Sequence, residues 1–411
     1  MKVLPSVRRF KRLSHFDLPN ASIPGLDVVV AIPARDEAEC IEACLKALAH
    51  QRDGAGRPIE PGRFAVLLLA NNCRDDTVAR ARSIAGLPFS LVCHEIELPP
   101  GEANAGGARR LALDLAASLL EAEGGDNGLL FTTDADTRVS ASWIADNLAA
   151  VANGADAVAG SIGFDPGETA RYPGLTDIRP LEARYAALSD ELVAAIDPRP
   201  HDPWPNHRLA WGASLAVRLQ LYRRVGGMPP VALAEDRAFV KALEAQDARV
   251  RHALNVRVCT SARTRGRAPG GLADMLRSFA EDKDFVCDAL LETSAATVRR
   301  AAWRAKLHRL YVAGELSAHA SDWSPRLRLT NSAATALIET GSGPFGEIWQ
   351  AIEQASPLLH RNRLHPRFLP KEIACVEHLL ARLKGAGAAG PGGRAPVAPG
   401  AEPGRPAPCF G

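Results

Sequence analysis

The sequence predicts an α/β fold, a mainly parallel central sheet with helices on both faces, followed by a helical C-terminal annex. Three observations predict it. Short apolar runs recur at residues 27–33, 64–69 and 128–131, with a further strand-like segment at 89–96. Runs this short and this apolar read as strands buried on both faces. Stretches with helical periodicity separate them, so strand and helix alternate as in βαβ units. Beyond residue 271 the pattern turns mainly helical, with breaks near Ser324, Gly341 and Pro366.

Taken in order, the first strand ends at Ile32-Pro33 and gives way to Ala34-Arg35-Asp36-Glu37-Ala38-Glu39. Asp36 with Glu39 three residues later has the form of a capping box. The helix that follows carries Ile41, Cys44, Leu45 and Leu48 on one face. A Gly/Pro-rich connection at 53–62 leads to the second strand, which ends in Asn71-Asn72-Cys73-Arg74-Asp75-Asp76-Thr77. After the third strand, Asn104-Ala105-Gly106-Gly107-Ala108-Arg109-Arg110 opens a helix running to about Glu123. The polar turns of such a sheet gather along one edge, which places Asp36, Asn71, Asp75 and Asp134 on a common rim.

The fourth strand stops at Thr132-Thr133-Asp134-Ala135-Asp136. If the extended geometry persists, Asp134 and Asp136 point the same way, at the strand end where open α/β sheets bind ligands. Two adjacent carboxylates repel unless a cation lies between them, and a hard divalent ion, Mg²⁺ or Mn²⁺, suits them. The same spacing recurs at Asp282-Lys283-Asp284 in a helical-looking segment, where it reads as a solvated face. The strand in front of Asp134 is what separates the two.

The second half is less regular. A strand is expected at 157–164, a helix at 181–196, and a proline-rich binding loop or lid at 197–207. Gly226-Gly227-Met228 and Leu233-Ala234-Glu235-Asp236 follow, the latter at the start of a helix. A strand at 250–260 precedes Arg263, Arg265 and Arg267, which either grip an anion or form a solvated loop. Trp204, Trp211 and Tyr185 offer a sugar-ring platform or ordinary core.

The whole chain narrows the class. Its 411 residues carry a formal charge of +2, which is no footprint for nucleic acid. Eight scattered cysteines, none at CxxC spacing, argue against a disulfide framework or a zinc site. The basic start, with Arg8, Arg9, Lys11 and Arg12, lacks the apolar core of a signal peptide, and no transmembrane segment is expected. These features place the protein in the cytoplasm, with a peripheral membrane contact through the basic arm as the alternative.

These turns, in this order, resemble a family 2 glycosyltransferase with the nucleotide-diphospho-sugar transferase (GT-A) fold, a Rossmann-type sandwich. The carrying residues are Ile32 to Glu37, Asn71 to Thr77, Gly107 to Arg110, Thr133 to Asp136, Gly226 to Met228, and Glu235-Asp236. The resemblance spans about 27–265. It implies a basic arm at 1–26, a GT-A domain at 27–270, a helical region at 271–384 and a disordered Gly/Ala/Pro tail at 385–411.

The resemblance also implies roles. Pro33, Ala34, Arg35 and Glu37 would line the nucleotide site. Asn71 stands where many relatives have an aspartate for the base, and Asp75 lies in the same turn. Gly107 and Arg109 would face the phosphates. Asp134, Ala135 and Asp136 would meet the sugar nucleotide, with Asp134 and Asp136 on the metal. Asp236, beside Glu235, would be the general base; by spacing alone the pair reads rather as a dipole-stabilised helix start. His207 and His252 are the candidates for a third metal ligand.

The activity so implied moves one sugar from a UDP- or GDP-linked donor to an acceptor hydroxyl with a divalent ion, inverting configuration. The signature and membrane helices of processive synthases are absent. The helical annex would shape the acceptor site or pair subunits into a homodimer. The alternatives are a sugar-phosphate nucleotidylyltransferase, which would want glycines and a basic residue after the first strand, and a non-catalytic nucleotide-sugar-binding protein of the same fold.

Overall fold

The computed structural model describes residues 26–124, 127–170, 179–264, 266, 271–282, 285–341 and 343–388. The basic arm up to residue 25, the tail from 389, Arg265, Arg267, and Lys283 and Asp284 of the later acidic repeat lie outside the described residues.

Eight strands form one sheet in the order β3-β2-β1-β4-β7-β6-β8-β5. They are β1 Val28–Ala34, β2 Phe64–Asn71, β3 Ser90–Ile96, β4 Leu129–Thr132, β5 Thr137–Val139, β6 Ala157–Phe164, β7 Leu215–Arg218 and β8 Val250–Thr260. Strands β1 to β4 are mutually parallel, as are β6 and β8. Only β7, between β4 and β6, and β5, on β8, run antiparallel. The sheet is therefore mainly parallel, as expected.

The alternating side chains of the strands feed two separate cores. One face collects Val29, Ala31, Leu67, Leu69 and Leu130 with α3 (Ala105–Ala122) and with Phe239 and Leu243 of α6 (Glu235–Ala245). The other collects Val28, Val30, Ile32, Val66, Leu68 and Phe131 with α1 (Ile41–Ala49) and α4 (Trp143–Ala152). Covering both faces is why the strand runs are apolar throughout.

The C-terminal helices are not a separate appendage. Tyr185 and Leu192 of α5 (Arg179–Ile196) share a core with Ile373, Val376 and Leu380 of the last helix, Leu369–Ala388. Tyr185 is fully buried and its hydroxyl donates to the Glu292 carbonyl at 2.6 Å. It is core, not a sugar platform. The last helix continues to Ala388, four residues into the stretch expected to be disordered; extending a formed helix is far easier than starting one.

Register places the C-terminal ends of β1, β2 and β4 side by side: Ala34 opposite Ala70, and Ala31 opposite Thr132. The three turns that leave these ends are thereby brought to one edge, where the candidate residues lie.

Candidate active site

The first two turns are tied to each other. Glu37 N donates to Thr77 Oγ1 at 2.9 Å, and Ala38 N to Asp75 Oδ2 at 3.0 Å. Asp36 is left-handed, φ 54°, and its carboxylate accepts from Arg74 N at 2.6 Å. The expected capping box does not form: Asp36 lies too far ahead of the helix, whose N-cap is Cys40, with no side-chain cap. Asp36, Cys73 and Asp75 bring one potential ligand atom each within 4.8 Å of one another. These side chains already accept backbone N–H groups, so the grouping is a knot locking two turns. Pro33 and Arg35 are half-buried, and Arg35 Nη1 reaches the Ala103 carbonyl at 3.3 Å. Ala34 and Asn71 are buried at the ends of β1 and β2.

Arg109, in the first turn of α3, is the hub. Its Nε donates to Glu235 Oε1 at 3.1 Å, its Nη1 to Thr132 Oγ1 at 3.1 Å and to the Gly212 carbonyl at 2.9 Å, and its Nη2 to Asp134 Oδ1 at 2.7 Å. Burial disfavours its charge, but Asp134 and Glu235 more than offset that and hold it firmly protonated. Arg109, expected to face the phosphates, has a side chain only 6% exposed, with four of its five N–H donors bonded to protein. Gly107 lies in the same helix start. A Cβ there would sit 2.2 Å from the Glu102 carbonyl oxygen, and its N–H is taken by Asn104 Oδ1 at 2.9 Å. The glycine permits close backbone packing, and the helix start is capped from within.

Asp134 and Asp136 lie beyond the end of β4, in a turn, so they do not share one extended face as assumed. They remain neighbours. Burial first, and then the charge of Asp134, push the Asp136 carboxyl up to about 6. Ala135 between them is buried. Asp136 Oδ2 lies 2.9 Å from Arg263 Nη2, whereas its Oδ1 meets only the Thr137 and Thr260 hydroxyls, each at 3.5 Å. Arg263 also takes the Glu37 carboxylate in a two-pronged pair, Nη1–Oε2 at 2.9 Å and Nη2–Oε1 at 2.6 Å. Glu37, expected to line the nucleotide site, is instead buried under this pair.

The second acid pair opens α6. Ala234, left-handed at φ 56°, turns the chain into the helix. Glu235 points inward to Arg109. Asp236 accepts from Gly212 N at 2.9 Å and from its neighbour Arg237 N at 2.7 Å. Burial, then the charge of Glu235, raise its carboxyl above the usual range. Gly212, which the sequence did not mark, is essential to the arrangement: a Cβ there would stand 2.5 Å from the Arg109 guanidinium carbon.

Neither candidate histidine joins this site. His252 begins β8 while Thr260, beside Asp136, ends it. His252 Nδ1 pairs with Asp202 at 3.0 Å, and its ring packs edge-on against His207 at 5.5 Å.

The donor set fits a hard divalent ion. Asp134 keeps Oδ2 clear of any hydrogen bond among the described residues and is about one-third exposed. Asp136 offers a weakly held Oδ1. Two carboxylate oxygens suit an ion whose remaining ligands are water and phosphate.

The acidic turns thus gather around one buried guanidinium at the strand ends, where open α/β sheets bind ligands. Residues 29–201 match the family model of glycosyl transferase family 2; Glu235, Asp236 and Arg263 lie beyond the match. Solved structures similar to the chain include S. aureus TarS 1-349 in complex with UDP, at 14% identity, 88% of this chain, 92% of that chain and a TM-score of 0.41. A mannosyltransferase from Pyrobaculum calidifontis, in complex with GDP-Man and Mn²⁺, is 19% identical over 79% of this chain and 84% of its own, TM-score 0.40. Glucosyl-3-phosphoglycerate synthase from Mycobacterium tuberculosis, in complex with Mn²⁺, UDP and phosphoglyceric acid, is 16% identical over 68% and 79%, TM-score 0.33. No curated protein matches the chain by sequence. Among the described residues no helix is long and apolar enough to cross a membrane.

Proposed function

We propose that this chain transfers one sugar from a nucleoside-diphosphate donor to an acceptor hydroxyl, with inversion and with a divalent ion held by Asp134 and Asp136. The observation that carries the reading is the Arg109 hub. One buried guanidinium bonds both Asp134 and Glu235, so the acidic turn after β4 and the acidic start of α6 are held next to each other. A donor site and a base for the acceptor need that proximity.

In this reading the turns after β1 and β2 flank the nucleotide, with Asn71 at the base and Asp75 holding the turn. The ion, when bound, neutralises charge on the departing diphosphate. Asp236 receives the acceptor's proton as its oxygen attacks the anomeric carbon. Its raised pKa suits that task, since a weakly acidic carboxyl is a stronger base. Gly212 N–H and Arg237 N–H fix its orientation, and Glu235 is held inward by Arg109 and supports the site from below. The acidic, glycine-free turn Ala34-Arg35-Asp36-Glu37 disfavours a nucleotidylyltransferase.

The test is release of nucleoside diphosphate by the purified protein from UDP- and GDP-sugars, with Mn²⁺ or with chelator. Slow metal-dependent release is expected, abolished in Asp134→Asn. Release that persists in chelator removes the metal role, and no release with any donor favours a non-catalytic binding protein.

A further inference from the structure

Resting on the metal reading above, we propose that Arg263 is a built-in counter-ion of Asp136 that a divalent cation must displace, so that cation and nucleoside diphosphate bind cooperatively. It is a positioning residue acting through Asp136.

The geometry sets up the competition. The same Arg263 nitrogen, Nη2, lies 2.9 Å from Asp136 Oδ2 and 2.6 Å from Glu37 Oε1. Bringing a divalent ion onto Asp136 places two like-signed groups on one carboxylate, which costs free energy at contact distance. Arg263 is also the arginine able to yield. Its side chain is 28% exposed, against 6% for Arg109, and it sits three residues past the end of β8. The backbone there stays pinned, because Ala262 N donates to Glu168 Oε2 at 2.6 Å. Release is therefore a matter of side-chain rotation, with Glu37 as the anchor that keeps the guanidinium close.

A nucleoside diphosphate changes the balance. Its oxygens bring negative charge beside Asp134 and Asp136, which compensates the guanidinium set free from Asp136. Cation alone must meet the full repulsion, whereas cation with diphosphate does not. Two ligands that each relieve the other's cost bind with positive coupling.

The experiment is a titration of Mn²⁺, followed by the spectroscopic signal of the free ion, on full-length protein with and without UDP. Wild type should bind Mn²⁺ weakly alone and more tightly with UDP. Arg263→Gln should bind Mn²⁺ alone about tenfold more tightly, the consequence of removing a contacting unit charge, and should lose much of the UDP coupling. Arg263→Lys, which keeps the charge, should stay near wild type. Glu37→Gln should move the other way, weakening Mn²⁺ alone, because Arg263 then has Asp136 as its main partner. These opposite signs separate counter-ion from strut: a merely structural Arg263 would weaken Mn²⁺ binding in both glutamine variants. Unchanged or weaker Mn²⁺ binding in Arg263→Gln, with wild type still binding Mn²⁺, overturns the inference alone. No Mn²⁺ binding by either protein, with or without UDP, overturns the metal reading as well.

Discussion

Arg109→Met tests whether one guanidinium assembles the site. The substitution keeps an unbranched apolar stem but removes four hydrogen bonds, two of them to carboxylates. The two acids suffer unequally. Asp134 is about one-third exposed and can be re-solvated, whereas Glu235 is 8% exposed and cannot. Removing one partner of a buried ion pair costs about 3–5 kcal/mol, because a charge is left buried without compensation. The expected loss is of that size, a large share of a domain's typical total of about 5–15 kcal/mol.

The assay is urea denaturation of wild type, Arg109→Met, Glu235→Gln and the double variant. If Arg109 serves chiefly to neutralise Glu235, the double variant should recover about 1–3 kcal/mol relative to the sum of the singles. Additive single effects, or an Arg109→Met protein as stable as wild type, would refute the hub. Near-normal nucleoside diphosphate release by Arg109→Met would refute its organising role even if stability fell.

Three further outcomes are expected. Asp236→Asn should keep donor binding, followed by thermal stabilisation with UDP or GDP and Mn²⁺, while transfer falls by about 10²–10⁴-fold, the usual weight of a general base; retained transfer removes it from that role. Gly212→Ala should destabilise by about 1–3 kcal/mol in urea, since its Cβ would press on Arg109 at 2.5 Å and overpacking at a fixed group carries that penalty. His207, whose pKa is lowered to about 3 first by burial and then by His252, stays neutral in the fold but charges in the unfolded chain near 6.5. Its contribution is complete above 6.5 and is lost as pH falls toward 3. From pH 7 to 5 the loss is about 2 kcal/mol, and His207→Gln should show a correspondingly flatter profile of stability against pH.

Much of this architecture could be read before any coordinates. The runs at 27–33, 64–69 and 128–131 are apolar because both sheet faces are covered, and a strand buried on both sides leaves an unambiguous trace. The turns that end them were legible for a related reason: the apolar runs give way at Pro33, Asn71 and Thr133, at or beside the strand ends. By contrast β5 and β7, three and four residues long, are set by their neighbours rather than by a pattern of their own.

The site was legible as a set of residues but not as a set of pairs. Arg109 stands out near a glycine-rich helix start, which suggests a phosphate site. Nothing local reveals that its partner is Glu235, 126 positions away, or that Arg263 meets Glu37 across 226. An ion pair so distant is a consequence of sheet order, and sheet order is a property of the whole fold. Gly107 and Gly212 are hidden in the same way: they matter because backbone carbonyl or guanidinium lies where a Cβ would be, a fact about neighbours and not about the turn itself.

The pairing also explains the electrostatics. Asp134, Asp136, Glu37, Glu235 and Asp236 crowd one edge, and two arginines serve them. Each arginine takes an inner acid and an outer one: Arg109 joins Glu235 to Asp134, and Arg263 joins Glu37 to Asp136. Five acids against two arginines leave negative charge over, and burial first, then a neighbouring acid, raises the pKa of Asp136 and Asp236 among them. A fold that only needed stability would have little use for that surplus. A site that must accept a cation at one acid and a proton at the other has use for both, which is why the same two residues are the ones to substitute first.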